Sequence, residues 1–174
     1  MRSKSGLKPQ DVVILLKIVS LKDRPWRLLD IANELGLSQG EISFGLERLK
    51  KSKLIDGKKK KPMKQSLLEF VLHGVKYMYP VEPGPLVRGI PTAHSAQPLK
   101  GKIISSNDDQ FVWADSEGEM RGQHIEPLYQ SVPFAVKKDP ILHKLLALVD
   151  AIRVGRSRER KLAITEFIGL INKG

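Results

Sequence analysis

The chain has 174 residues, 41% of them hydrophobic, enough to bury a core as one large domain or two small ones. It contains no cysteine, which excludes a disulfide framework, a thiolate metal site and a cysteine nucleophile, and fits a reducing compartment such as the cytoplasm. Lys and Arg number 30 against 19 Asp and Glu, a formal charge of +11 that favours a polyanionic partner. The charge is uneven: Met1 to Lys64 hold 16 basic and 7 acidic residues, net +9, which leaves net +2 for Gln65 to Gly174.

The first nine residues are basic but carry no apolar core before a small-residue cleavage site, so no signal peptide is expected. No later run approaches the roughly 18 apolar residues of a membrane span. From Lys8 to Ser20, Val12, Val13, Leu15, Leu16 and Val19 follow helical spacing, with Pro9 suited to the first helical position. Lys22-Asp23-Arg24-Pro25 is a turn signal. Leu28, Leu29, Ile31, Ala32 and Leu35 form a second helix that Gly36 ends. Ser38 and Glu41 make a capping box opening a third helix that runs to about Ser52, with Ile42, Leu46 and Leu49 facing inward. Leu54-Ile55 reads as a short strand, Asp56-Gly57 as a tight turn, and Lys58 to Lys61 as a basic run with no clear returning strand after it.

A fourth helix is expected from Lys64 to Tyr77, ended by Pro80. Between Pro80 and Leu99 the prolines argue against a helix or a central strand, so 81–100 reads as a connector. Strands are expected at Lys102 to Ser105 and Gln110 to Trp113, flanking a turn at Ser106 to Asp109, and again at Met120 to Ile125. Asp139 caps a helix starting at Pro140 and ending before Gly155. Ser157 caps a last helix carrying Leu162, Ile164, Phe167, Ile168 and Ile171.

The most informative stretch is Leu28 to Ile55. Ala32 is small where two helices cross, Gly36 makes the turn, Leu37 plugs the corner and Ile42 anchors the third helix on the second. Through Leu28-Leu29-Asp30-Ile31-Ala32-Asn33-Glu34-Leu35-Gly36-Leu37-Ser38 and Ile42-Ser43-Phe44-Gly45-Leu46-Glu47-Arg48-Leu49, residues 8 to 80 resemble the winged-helix regulators of the MarR type and their relatives. Lys53 stands where many relatives carry glycine. The resemblance implies that the third helix enters the major groove of double-stranded DNA, with Ser38, Gln39, Gly40, Ser43, Phe44 and Arg48 as contacts. Gln39, Ser43 and Phe44 are of types that read base edges or a thymine methyl. Lys58, Lys59, Lys60 and Lys61 stand where a wing meets phosphate. A homodimer is expected, through Leu7 to Val19 or Leu162 to Ile171.

Other chemistry is weakly signalled. His73, His94, His124 and His143 have no metal-ligand spacing, Thr92-Ala93-His94-Ser95 is only a sequence neighbourhood, and Asp115, Glu117 and Glu119 suit a solvated hairpin end. The sequence therefore points to no catalytic residue, metal or cofactor, and to a non-enzyme. Arg153, Arg156, Arg158, Arg160 and Lys161 crowd a helix junction, which suits solvation with Glu159, a second nucleic-acid contact or an acidic partner. The expected fold is α+β: a winged helix-turn-helix over 1–80, a connector over 81–100, and over 101–174 a small antiparallel sheet with a helical hairpin. Two functions compete: regulation of transcription, and a protein-interaction role, antitoxin-like or as an adaptor subunit, in which the C-terminal module holds a partner protein.

Overall fold

Pro9 opens helix α1 (Pro9–Leu21) in the computed structural model, which describes residues 6–104 and 109–174. The Asp11 carboxylate accepts the Lys8 N–H at 2.8 Å, satisfying a donor that a helix start leaves orphaned. Helix α2 (Leu28–Leu35) ends at Gly36, whose φ of 67° is the left-handed conformation that glycine adopts without a Cβ penalty. Ser38 and Glu41 form the expected capping box of α3 (Gln39–Lys51), with Ser38 Oγ accepting the Glu41 N–H at 3.1 Å. Ile42, Leu46 and Leu49 face inward.

Leu54 and Ile55 do find a returning segment: Ile55 pairs antiparallel with Pro62, and Met63 N–H donates to Leu54 O at 2.9 Å. This hairpin is a single rung, too short to show as a strand in a reading of apolar periodicity. Lys53 before it has a φ of 61°.

The helix expected unbroken from Lys64 to Tyr77 is corrected to two, α4 (Lys64–His73) and α5 (Val75–Met78). Gly74 separates them, and a glycine inside a helical pattern weakens it there. The proline-rich stretch is corrected more deeply, because 86–91 forms β1 (Leu86–Pro91), the strand that pairs with both others. Pro85 and Pro91 stand outside and at the last position, so Leu86 to Ile90 keep their N–H groups. β2 (Phe111–Ala114) and β3 (Met120–His124) lie where strands were expected. No strand forms over 102–104, and the turn expected at 106–109 lies, but for Asp109, outside the described residues.

Both β2 and β3 run antiparallel to β1, with Gly89 opposite Ala114 and Leu86 opposite Gln123. They therefore run parallel where they meet, Phe111 beside Gln123, so the sheet is not purely antiparallel and its three strands close on themselves. A short helix not expected from sequence, α6 (Val132–Val136), precedes α7 (Pro140–Val154) and α8 (Ser157–Asn172). Asp139 caps α7 as expected, its Oδ1 accepting the Leu142 N–H at 2.9 Å. Ser157 does not cap α8: Arg156 takes that position, and its carbonyl accepts the Arg160 N–H at 2.9 Å, so the first turn closes one residue early. The result is a mixed α+β fold with eight α-helices and a small three-strand sheet among the described residues.

One buried apolar cluster runs from α1 through α8. α1 lies at its centre, with Val12 to Leu16 buried together with Asp11 and Lys17, so Val12 to Leu16 are spent inside the chain. The expectation that this helix supplies a dimer face is corrected for that reason; Leu162 and Ile164 on α8 are only partly buried. Lys17, 2% exposed, sends Nζ to Asp139 Oδ2 at 2.6 Å and Glu34 Oε2 at 2.5 Å, and Ser20 Oγ donates to the same Asp139 oxygen at 2.8 Å. A second polar knot ties the sheet to α7. Asp150 Oδ2 accepts from Thr92 Oγ1 and Trp113 Nε1, both at 2.7 Å, and its Oδ1 accepts from Arg153 Nη1 at 2.8 Å.

Burial pushes the Asp139 carboxyl up, but hydrogen bonds from Lys17, the Leu142 N–H and Ser20 outweigh it and hold it below the ordinary 3.8. A carboxyl depressed in the folded state stabilises the fold above its unfolded value and loses that contribution as pH falls through its folded value. Asp139→Asn leaves Lys17 with a weaker partner and costs about 2–4 kcal/mol at neutral pH. Urea denaturation across pH will show the gap between wild type and variant narrowing below pH 3.8; a gap constant with pH contradicts the assignment.

Candidate functional site

The inner side of α3 is fixed by apolar contact and by one ion pair. Gly45 lets α3 approach α1: a Cβ there would sit 2.6 Å from Ile14 Cδ1 and 2.9 Å from Asp11 Oδ1. One turn on, Arg48 grips the fully buried Asp11 with both arms, Nε to Oδ2 at 2.7 Å and Nη2 to Oδ1 at 2.8 Å. The Asp11 carboxylate raises the Arg48 guanidinium above its ordinary value. The expectation that Arg48 contacts a ligand is thereby corrected: its donors are turned inward and its side chain is 12% exposed.

The opposite side of α3 is open. Gln39 and Gly40 are exposed, Ser43 is half-buried, and Phe44 is 68% exposed with no apolar cover. Ser38 is exposed, but its hydroxyl oxygen and N–H are both engaged in the cap. The Ser38 N–H and hydroxyl hold the Glu41 carboxyl below its ordinary value. Lys50 and Lys51 are exposed at the C-terminal end, favourable for cations.

The hairpin lies beside this helix, anchored by the buried Leu54 and Ile55, and Lys59 Nζ pairs with Glu47, lowering the Glu47 carboxyl through that hydrogen bond. Asp56 shapes the tip, its Oδ1 accepting the Lys60 N–H at 2.7 Å and the Lys61 N–H at 3.0 Å, and these two bonds lower its carboxyl. The four lysines are thus unequal. Lys59 is engaged with Glu47, and Lys60 Nζ lies 3.9 Å from the Trp26 ring centroid. Lys58 and Lys61 make no side-chain bond among the described residues. Trp26 is the residue that the sequence reading passed over; its signal was a lone aromatic between Pro25 and Arg27 in a basic loop.

The second basic group does not assemble. Arg153 is buried, donating to Tyr79 O at 2.8 Å and Asp150 at 2.8 Å, so its expected role as an anion or partner contact is corrected to a structural one. Arg160 donates to Gly155 O at 3.0 Å, which turns it back onto the α7–α8 junction. Arg156 and Arg158 are exposed.

The four histidines stay apart. His143, whose imidazole burial pushes down, faces Pro91 O at 2.8 Å, His94 faces Asp109 O at 2.7 Å, His124 faces Glu126 at 3.1 Å, and His73 is exposed. Thr92 is engaged with Asp150 rather than His94. Among the described residues, no group of three or more His, Asp or Glu side chains is placed to hold a metal ion, and no helix is long and apolar enough to cross a membrane. Comparison with protein-family models, curated proteins and solved structures finds no match to this chain.

Because Arg48 leaves Asp11 buried when it is removed, Arg48→Met is expected to cost about 3–5 kcal/mol by urea unfolding. Replacing both partners, Asp11→Leu with Arg48→Met, recovers most of that loss. A neutral Arg48→Met contradicts the clamp.

Proposed function

We propose that residues 8–80 form a winged helix-turn-helix of the MarR-like type that binds double-stranded DNA, and that the chain regulates transcription. The observation carrying this reading is the two-sidedness of α3. Its inner face is locked by Ile42, Leu46, Leu49 and the Arg48 pair, while Gly40, Ser43 and Phe44 lie off that face and Gln39 is exposed at the first residue of the helix. A recognition helix needs that division, since side chains can read base edges only if the backbone presenting them is held rigid. Gln39 pairs with adenine edges, Ser43 bonds several edges and Phe44 packs on a thymine methyl. Gly40, without a side chain, lets the start of α3 come close to the groove.

The one-rung hairpin serves as the wing, tethered to α3 by Lys59 and Glu47. Its lysines contribute to phosphate neutralisation in order of freedom, Lys58 and Lys61 before Lys59 and Lys60. Net charge agrees, since the excess of cations lies in this N-terminal segment. A homodimer would suit the two-fold operators that such folds use, with α8 the remaining apolar face.

A second reading is favoured by the exposed aromatics. Phe44, Tyr77 at 74% and Phe134 at 58% are what a partner protein would cover, and a Cβ added at Gly36, at the end of α2, would sit 3.2 Å from the Phe134 ring. In that reading the chain is an interaction component, antitoxin-like or an adaptor.

Fluorescence anisotropy with duplex DNA across salt separates the two readings. Lys58→Gln with Lys61→Gln will flatten the slope of log affinity against log salt by about 1.8. An unchanged slope contradicts the wing assignment, and no binding to any duplex at moderate salt favours the interaction reading. Enrichment from a random-sequence pool tests the helix: Gln39→Ala or Ser43→Ala relaxes the selected sequence more than it lowers bulk affinity. Identical selected sequences for wild type and both variants would remove these residues from the reading face.

A further inference from the structure

The α1–α2 turn, the hairpin and the start of α4 enclose a cleft of about 550 Å³, within the range of small-molecule sites. Its floor is apolar, made by Ile18 and Val19 of α1 and Ile171 of α8, with Pro25 and Pro62 at the sides. Trp26 forms one wall, and Lys60 lies over its ring. Lys22, Arg24, Lys60, Lys61 and Lys64 contribute five cations to the lining against one carboxylate, Asp23.

Some of these cations are engaged. Arg24 reaches Glu34 at 3.3 Å and Lys64 bonds the Gly174 oxygen. Lys22 and Lys61 make no side-chain bond among the described residues. Lys22 also holds a backbone conformation, φ 55° and ψ −125°, that a residue with a Cβ rarely adopts. Strain of that kind clusters at ligand clamps.

We infer that this cleft binds a small aromatic phosphate of nucleotide size. An aromatic ring is the group that fits the Trp26 wall, because a flat face stacks on indole where the Lys60 ammonium now lies. With Arg24 and Lys64 engaged, Lys22, Lys60 and Lys61 face the Asp23 carboxylate with two positive charges to spare, which suits a phosphate, close to doubly charged at neutral pH and offering three acceptor oxygens. Lys22 and Lys61 are free to meet it, and Lys60, displaced from the ring, is the third donor. An apolar floor gives a bare anion nothing to bury, and a neutral ring leaves the cations without a counter-charge. The site is independent of the duplex-DNA reading, although Lys60 and Lys61 belong to both.

Tryptophan emission of the full chain tests this without DNA. Trp113 is fully buried and bonded to Asp150, so a ligand in the cleft quenches Trp26 alone. Adenosine monophosphate is expected to quench saturably, and Trp26→Phe to abolish the quench while calorimetry still detects weakened binding. Lys22→Gln with Lys61→Gln, both at exposed positions, is expected to weaken binding by about tenfold or more. Three results each overturn the inference: no saturable quench with adenosine monophosphate, inorganic phosphate competing as strongly as the nucleotide, or benzoate binding as tightly as the nucleotide. A chain that binds no DNA but shows the saturable quench contradicts the duplex reading and leaves the cleft assignment standing.

Discussion

A helix with almost no solvent face must have every polar group it carries paired inside the protein, and α1 is such a helix. It carries Asp11, Lys17 and Ser20 among its buried residues, and each is answered by another element. Arg48 of α3 meets Asp11, Glu34 of α2 meets Lys17, and Asp139 at the head of α7 meets both Lys17 and Ser20. These pairs do more than hold elements together, because an ion pair buried in one geometry leaves little freedom in the orientation of the helices that bear it. The rotation of α3 about its own axis follows from the Arg48 grip and the close approach at Gly45, and with it the outward position of Gly40, Ser43 and Phe44, while Gln39 is exposed as the first residue of the helix. The C-terminal half belongs to the same arrangement, since Asp139 is at once the cap of α7 and the partner of α1.

Signals confined to a few residues were legible in the sequence. Gly36, the Ser38–Glu41 box and Asp139–Pro140 mark helix ends because their chemistry is closed within three or four residues. What depends on distant partners was not. Arg48 reads as a surface cation of a basic helix until Asp11, 37 residues away, is placed against it. Arg153 likewise reads as part of a basic cluster, and only the fold brings Tyr79 O and Asp150 to it. β1 was hidden for a different reason: its flanking prolines suggest a connector, although proline is excluded only where a ladder needs its N–H. Of the candidate site, the outer face of α3 was legible from helical spacing alone. The cleft beside Trp26 was not, because its lining comes from α1, the α1–α2 turn, the hairpin, α4 and α8.

Charge tells a similar story at two scales. The sum over the N-terminal segment identifies where a polyanion would be attracted, whereas the individual lysines divide between those already matched and those still open. Lys59 is held by Glu47 and Lys60 by Trp26, which gives the hairpin a fixed side toward α3 and a fixed side toward the cleft. Lys58 and Lys61 keep their charge available between them. The same short loop therefore faces two surfaces, α3 on one side and the cleft on the other.

In the proposed function α3, held from within by α1, presents its outer face and the adjoining hairpin to duplex DNA. Amide NMR of the full chain with a short mixed-sequence duplex at low salt tests it most directly, since every element reports separately. The largest shifts are expected on 39–44 and 58–61, with α7 unmoved. Shifts concentrated instead around Arg156 to Lys161, or none anywhere at low salt, would contradict it.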